Sequence, residues 1–448
     1  MRFDYILLRA PMTEPENLEK QIKRNIYGKP QSILVIFPPG LSGIASEEVE
    51  HILGNLWFKN KFESEITELK NALRIDKIHM SAVMELMMRG QCFTDVRLMI
   101  SEGKAANMPA FEKKCSDIPW NYYVTAEMAI KLKVDVGASP ALHEGAMRET
   151  LANVLKGKVD SIVKGEDAEE TTTIYVDAYK YYSLMSISLA GASLYKRGYR
   201  SVLSNSAPLR EDIAACCILN ALQFGVENNP DYVSEALVVP FSGTGTFVFE
   251  YWIATYLFAP VLFERGYALQ LMPLFRSENY SYLLKKAREN CLIASFVPTN
   301  YYCIDNNVAA NDALLQNVDN FKRAVESSQF TWQGNEDNSW LLNEDFLQSD
   351  LKKLLSDAPR NVFMPINPPY GIRLGKSNDT VTLYQQIARQ INVLSRALKT
   401  SGKHVLGCIL CPSEEAWSGF CKTLSNATID TYHITQGGLD IRVAQFYI

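Results

Sequence analysis

Two stretches about 120 residues apart constrain this chain more than anything else in it. The upstream one is an apolar strand, Ala236-Leu237-Val238-Val239-Pro240. It runs into Phe241-Ser242-Gly243-Thr244-Gly245-Thr246, and a helical apolar pattern starts at Phe247. Strand, glycine-rich turn and helix start form the arrangement in which backbone can approach a nucleotide-like ligand closely. The turn lacks the third glycine of a dinucleotide fingerprint and the Gly-Lys of a phosphate loop, which argues against a dehydrogenase or a nucleoside triphosphatase. The downstream stretch is Val362-Phe363-Met364-Pro365-Ile366, closed by Asn367-Pro368-Pro369-Tyr370. The apolar run reads as a buried strand. Two prolines end it, because neither can donate to a ladder, and leave an Asn at its carboxyl end with a Tyr on a rigid turn. Ligands of open α/β sheets bind at the carboxyl ends of strands, so a site is expected here.

The residue types of 367–370 suit attack by an exocyclic amine on a methyl donor. Such an amine on adenine or guanine is a poor nucleophile, because its lone pair is delocalised into the ring. The Asn367 side-chain oxygen and the Pro368 carbonyl can each accept one of its protons, which draws the nitrogen toward a tetrahedral shape. The Tyr370 ring can stack on a base taken out of its helix. No strong general base is required.

At 448 residues the chain has room for two or three domains. With 47% hydrophobic and 21% charged residues its composition is that of a globular protein. No apolar run reaches the ~18 residues of a membrane span, and Met1-Arg2-Phe3-Asp4-Tyr5 lacks a signal-peptide layout. Nine scattered cysteines fit a reducing cytoplasm. Cys408 and Cys411 form a CxxC inside an apolar strand-like run and read as packing; five histidines form no ligand cluster, so no metal site is expected. A net charge of -5 means that any basic groove for nucleic acid is local.

Residues 1 to about 38 read as strand, helix, strand, with apolar runs at Tyr5–Leu8 and Ile33–Phe37 around a charged segment. Helices are expected at Ser46–Leu53, Met108–Cys115 and Leu142–Lys156, and strands at Phe93–Ile100, Thr171–Asp177 and Tyr182–Leu189. Trp120–Val124 reads as the approach to a further strand. Lys104, Lys113, Lys114, Lys131, Lys133, Arg148, Lys156 and Lys158 are candidate phosphate contacts. Tyr195-Lys196-Arg197-Gly198-Tyr199-Arg200 mixes cations and aromatics, which suits RNA stacking and phosphate contact. Pro208-Leu209-Arg210-Glu211 opens a helix. Beyond the glycine turn a helix covers Phe247–Phe258, and a long helical stretch runs to about Ser295. Tyr301–Asp305, Trp340–Phe346 and His404–Cys411 read as strands and Val308–Ala324 and Leu383–Leu398 as helices. Thr431–Thr435 and Arg442–Ile448 form a closing antiparallel pair.

With these pieces the chain resembles the THUMP-domain RNA methyltransferases that use S-adenosylmethionine to methylate guanine N2 in ribosomal or transfer RNA. The resemblance runs from about Gly40 to the C-terminus. Arg197–Arg200, Ala207–Glu211, Ser242–Thr246 and Asn367–Tyr370 carry it. It implies an α/β fold: a class I, Rossmann-like methyltransferase domain at 181–448, preceded by an α+β THUMP-containing half. That half divides into an extension at 1–38, a ferredoxin-like piece at 39–93 and a THUMP-like RNA-binding domain at 94–180. It implies that Pro208, Leu209, Ser242, Gly243, Thr244, Gly245, Thr246, Asp305, Asp345 and Asn367 bind the donor, with Asp305 on the ribose and Asp345 on the adenine. Asn367, Pro368, Pro369 and Tyr370 would be catalytic, and Arg197, Tyr199, Arg200, Lys113 and Lys114 would contact RNA. The sequence departs from the family where Val239 and Cys303 replace two acids near the donor. Two other readings follow: a non-catalytic RNA-binding or assembly protein on the same fold, and an adenine-N6 methyltransferase, which shares the same tetrapeptide.

Overall fold

The computed structural model describes residues 14–58, 62–139, 141–163, 171–200, 208–291, 295–296, 300–334, 338–355, 360–370 and 377–448. The first half holds α1 (Glu14–Ile22), β1 (Gln31–Ile36), α2 (Ser42–Gly54), β2 (Glu65–Leu69), β3 (Ala72–Ile78), α3 (Met80–Arg89) and β4 (Asp95–Lys104). It continues with α4 (Met108–Asp117), β5 (Ala129–Val136), α5 (Glu144–Leu155), β6 (Ser161–Ile162), β7 (Thr171–Tyr179) and β8 (Tyr182–Ser188). Its strands form one sheet in the order β2-β3-β1-β4-β8-β7-β5-β6, antiparallel except where β5 meets β6 and β7. Side chains alternate across it. Ile33, Val35, Leu73, Ile75, Val96, Leu98, Ile174 and Val176 are buried in a cluster that includes Val49, Val83, Phe111 and Leu151 of α2 to α5. Arg74, Asp76, Arg97 and Lys133 occupy the alternate positions.

The sheet does not respect the boundaries expected at 38 and 93. β1, inside the expected extension, pairs with β3 and with β4, placing Ile33 opposite both Ile75 and Leu98. Inserted there, both of its edges are satisfied and its apolar side is buried, which an isolated strand could not achieve. β8 lies beyond 180 and completes the same sheet, between β4 and β7. The apolar run Tyr5–Leu8 lies outside the described residues, and Trp120–Tyr122 is a 3-10 turn rather than a strand approach.

The second half holds α6 (Glu211–Asn228), β9 (Ala236–Pro240), α7 (Thr246–Tyr256), α8 (Ser277–Glu289), β10 (Ser295–Phe296), β11 (Tyr301–Ile304), α9 (Val308–Ser327), β12 (Thr331–Trp332) and β13 (Leu341–Leu342). It ends with α10 (Leu351–Leu354), β14 (Val362–Ile366), α11 (Ser377–Lys399), β15 (Val405–Cys411), α12 (Glu414–Thr423), β16 (Thr428–Gln436) and β17 (Leu439–Tyr447). β10 and β12 make a short parallel pair. The main sheet has the order β13-β11-β9-β14-β15-β17-β16, parallel as far as β15 and antiparallel after it. From β9 the chain winds outward to β13 and then crosses back to β14, so the order reverses between β9 and β14. That is the switch point where doubly wound sheets open a crevice.

Both faces of this sheet are covered, which is why its strands read as unbroken apolar runs. Leu237, Val239, Phe363, Leu406 and Cys408 pack with α6, α7 and α9 in a core continuous with the first half. Val238, Val362, Met364, Ile366, Ile409 and Cys411 pack with α11 and α12 in a second cluster. Cys408 and Cys411 thus face opposite sides of β15 and cannot share a metal. The long helix expected up to Ser295 is broken after Tyr256: Leu257 turns left-handed at φ 53°, two 3-10 turns follow, and α8 begins at Ser277. Pro260 and Pro273 in that interval cannot continue a helix. The strand expected at Trp340–Phe346 shortens to Leu341–Leu342.

Candidate active site

The turn after β9 is shaped by three left-handed residues, Phe241 (φ 51°), Gly243 (φ 53°) and Gly245 (φ 90°). Gly245 is required twice over, because a Cβ there would lie 2.8 Å from Phe249 Cε2 and 3.1 Å from Leu314 Cγ. Gly243 differs: its conformation favours glycine, but among the described residues the space beside it is open, with Phe241 O at 4.0 Å as the near neighbour. The open side is where a ligand can come close to backbone.

Asp305 follows β11 directly and locks this turn. Its carboxylate accepts from the Gly243 N–H and from the Asn307 N–H, each at 2.9 Å. A carboxylate has about four acceptor positions, so two remain for ribose-like hydroxyls. Val239 and Cys303, where the resemblance leads one to expect acids, are cross-strand partners and each is 1% exposed. An apolar pair thus sits two rows behind Asp305. Burial, with Asp305 nearby, holds the Cys303 thiol far above its ordinary range.

Three asparagines brace the crevice. Asn311 donates to the Asp305 backbone oxygen at 3.0 Å and to Asn343 Oδ1 at 3.2 Å, tying the end of β11 to the end of β13. Asn317 donates to Thr244 O at 3.1 Å, and Asn307 caps α9. Sequence reading missed Asn311 and Asn317. The available signal was an amide on the face of α9 that otherwise carries Ala310, Leu314 and Phe321, since a buried amide needs a partner. Asp345 caps its own 3-10 turn by accepting from the Leu347 N–H at 3.0 Å.

Leu209 is held over the start of α7. Arg200 donates to Leu209 O at 3.2 Å and to Thr246 Oγ1 at 2.6 Å, and pairs with Glu211 at 3.3 Å. Leu209 is buried and Pro208 half-buried; Ala207 lies outside the described residues. Burial pushes the Glu211 carboxyl up to about 7 against the pull of Arg200.

Arg197 and Tyr199 require a correction. Both are 1% exposed, so neither offers a surface to RNA. Arg197 donates to Leu194 O, to Gln91 O from the first half and to Glu250 at 3.4 Å. The Tyr199 hydroxyl donates to Glu250 Oε1 at 2.9 Å. The cation–aromatic mixture of this segment is an internal clamp between the halves, because a buried guanidinium needs a carboxylate and carbonyls around it. Lys113 is exposed on α4, and Lys114 donates to Glu102 O at 3.1 Å.

β14 runs beside β9, with Val362 and Phe363 opposite Ala236 and Leu237, so Asn367 stands next to the turn that leaves β9. Asn367 Oδ1 and Ser242 Oγ are buried without a hydrogen-bond partner among the described residues. Buried acceptors are normally paired, and these two follow the two strands that flank the switch point. Pro368 is buried and Pro369 exposed. Tyr370 packs partly against the first core, and burial holds its hydroxyl, which has no partner among the described residues, well above the ordinary tyrosine value. Gly371–Leu374 lie outside the described residues. The described residues hold no group of His, Cys, Asp and Glu able to bind a metal, and no helix long and apolar enough to cross a membrane.

The chain resembles known proteins. The family model for the RMKL-like methyltransferase domain matches residues 197–443. Two curated relatives, both named ribosomal RNA large subunit methyltransferase K/L, come from Psychromonas ingrahamii and Legionella pneumophila (strain Lens). Each is 26% identical over 310 residues, covering 65% and 66% of this chain. The chain spans 36% and 39% of their own lengths. Among solved structures, SMU.472, complexed with SAH, matches with a TM-score of 0.68 at 16% identity over 93% of this chain and 98% of its own. TrmN from Thermus thermophilus matches at 0.54 and 13% identity over 93% and 99%. These two share the fold. With a family match over more than half its length, the chain belongs to the RMKL-like methyltransferase domain family.

Proposed function

We propose that this protein is an S-adenosylmethionine-dependent RNA methyltransferase that methylates the exocyclic N2 amine of a guanine in ribosomal or transfer RNA. The observation that carries the reading is the Asn367 acceptor, which has no hydrogen-bond partner among the described residues and stands at the switch point beside a glycine turn that leaves room at Gly243. Family membership supports the reaction class, and the names of the relatives support RNA as the substrate.

In this reading the Ser242–Thr246 backbone cradles the donor, Asp305 accepts from its ribose hydroxyls and Asp345 faces its adenine. Leu209, fixed by Arg200 and Thr246, closes over the donor's amino-acid end. S-adenosylmethionine, when bound, supplies a methyl group on a positively charged sulfur. Asn367 Oδ1 and the Pro368 carbonyl accept the two protons of the target amine and orient its lone pair. Tyr370 contributes a ring against which a flipped base stacks, and its raised hydroxyl pKa keeps it neutral. The first half, with Lys113 and Lys114 on its surface, contacts the RNA.

Calorimetric titration with S-adenosylmethionine and with S-adenosylhomocysteine tests the donor half of this reading. Micromolar binding is the expected result, with Asp305 sufficing where two acids are absent. No binding at high micromolar ligand, with or without total RNA, favours the non-catalytic alternative.

A further inference from the structure

We propose that the β7–β8 turn and the adjoining end of β4 form a ledge that takes unpaired RNA bases on tyrosine rings. The proposal rests on the RNA reading above and names a contact surface for it outside the methyl-transfer site. Tyr179 pairs with Tyr182 across a two-residue turn, and Tyr182 pairs with Lys104 of β4. Residues paired across neighbouring strands share a face, so Tyr179, Tyr182 and Lys104 lie in one row. Tyr179, Tyr181 and Tyr182 are 58%, 50% and 47% exposed. Single exposed aromatics are ordinary; three adjacent ones on one turn are a patch.

The ledge is rigid. The Lys180 N–H donates to Ala138 O at 3.0 Å, the Ala105 N–H donates to Tyr181 O at 2.7 Å, and Ser139 Oγ donates to Lys180 O at 2.6 Å. The Tyr179 ring lies close over Gly137, where a Cβ would be 3.0 Å from its Cδ2. A turn whose backbone is held in this way loses little freedom when a base stacks on its rings.

Lysines lie beside the rings. Lys180 Nζ lies 5.2 Å from the Tyr179 centroid, Lys104 ends the row, and Lys114 reaches the backbone of Glu102. The neighbouring acid, Glu102, is paired with Arg74 through two bonds of 2.5 and 2.9 Å and also takes a hydrogen bond from the Tyr182 hydroxyl. Aromatic planes with lysines beside them match the stacked bases and phosphates of single-stranded RNA. A protein-docking patch is depleted in lysine instead, which favours the nucleic acid as occupant.

The test is fluorescence anisotropy of the full chain with a short labelled single-stranded RNA, read across a salt series without donor. Each stacked base lost weakens binding by about tenfold, so Tyr179→Ala with Tyr182→Ala together weaken it by up to about a hundredfold. Phe at both positions keeps the rings and binds within about twofold of the unmodified chain. Lys104→Gln and Lys180→Gln each lower the salt slope by about 0.7. The proposal is overturned if the unmodified chain does not bind this RNA, if the Ala pair binds as tightly as it does, or if the Phe pair is as weak as the Ala pair. Donor titration of the same samples is a separate readout: absent donor binding in a chain that still binds RNA counts against methyl transfer and leaves the ledge standing.

Discussion

Asn367, Asp305, Glu211 and Arg197 separate the roles that single residues play. Asn367→Ala removes the acceptor that holds the amine, so methyl transfer should vanish while calorimetric donor affinity stays within about twofold; retained turnover would refute its role. Asp305→Ala removes a carboxylate bonded to Gly243 and Asn307. A bond to a charged group is worth about 1.5–3 kcal/mol, so donor affinity should fall roughly ten- to a hundredfold. Glu211 gives a pH dependence. Its folded pKa, about 7, exceeds its unfolded value, so folding takes up a proton between the two. Its contribution is fully present at low pH and is lost as pH rises through about 7, by an amount on the order of 3 kcal/mol. Urea midpoints between pH 4.5 and 7.5 should therefore show a downward component that Glu211→Gln removes. The motif that holds Asn367 was legible because its four residues are contiguous in the chain. Arg197 and Tyr199 were misread because burial is a tertiary property: the carboxylate that claims them, Glu250, is half a hundred positions away in sequence.

The glycine turn is the element whose two glycines should fail differently. Gly243→Ala meets open space and costs the left-handed penalty of about 1 kcal/mol, so the chain should stay folded while the new methyl group blocks the donor. Gly245→Ala collides with Phe249 and Leu314 and should lower the melting temperature as well as donor affinity. Thermal scans alongside calorimetry distinguish the two, and equal losses of stability would contradict this division of labour. The strands β9, β11, β14 and β15 were readable because sheets covered on both faces leave apolar runs with clear ends. β13 was not, because two residues carry no period, and Asp345 belongs to a capped turn rather than a strand.

Across the whole molecule, the first half and the methyltransferase half share one apolar cluster and a buried ion group. Thr94, just before β4, donates to Asp212 of α6 at 2.8 Å, and Arg197 bridges Gln91 and Glu250. Breaking a buried pair by removing one partner costs about 3–5 kcal/mol, so Arg197→Met should destabilise both halves together. Far-ultraviolet dichroism and tryptophan fluorescence should then give one coincident unfolding transition at a lower urea midpoint; two separated transitions would show that the halves fold independently. The two-part plan was legible through its motifs, but the position of β1 in the middle of the first sheet was not. Pairing across about 60 residues leaves no local trace when several apolar strands could fill the same place. The most direct test of the account is transfer of a labelled methyl group from S-adenosylmethionine to unmodified ribosomal and transfer RNA, followed by nucleoside analysis. The account predicts label on guanine N2 with the unmodified chain and none with Asn367→Ala. Label on adenine N6, or equal label with the variant, would contradict it.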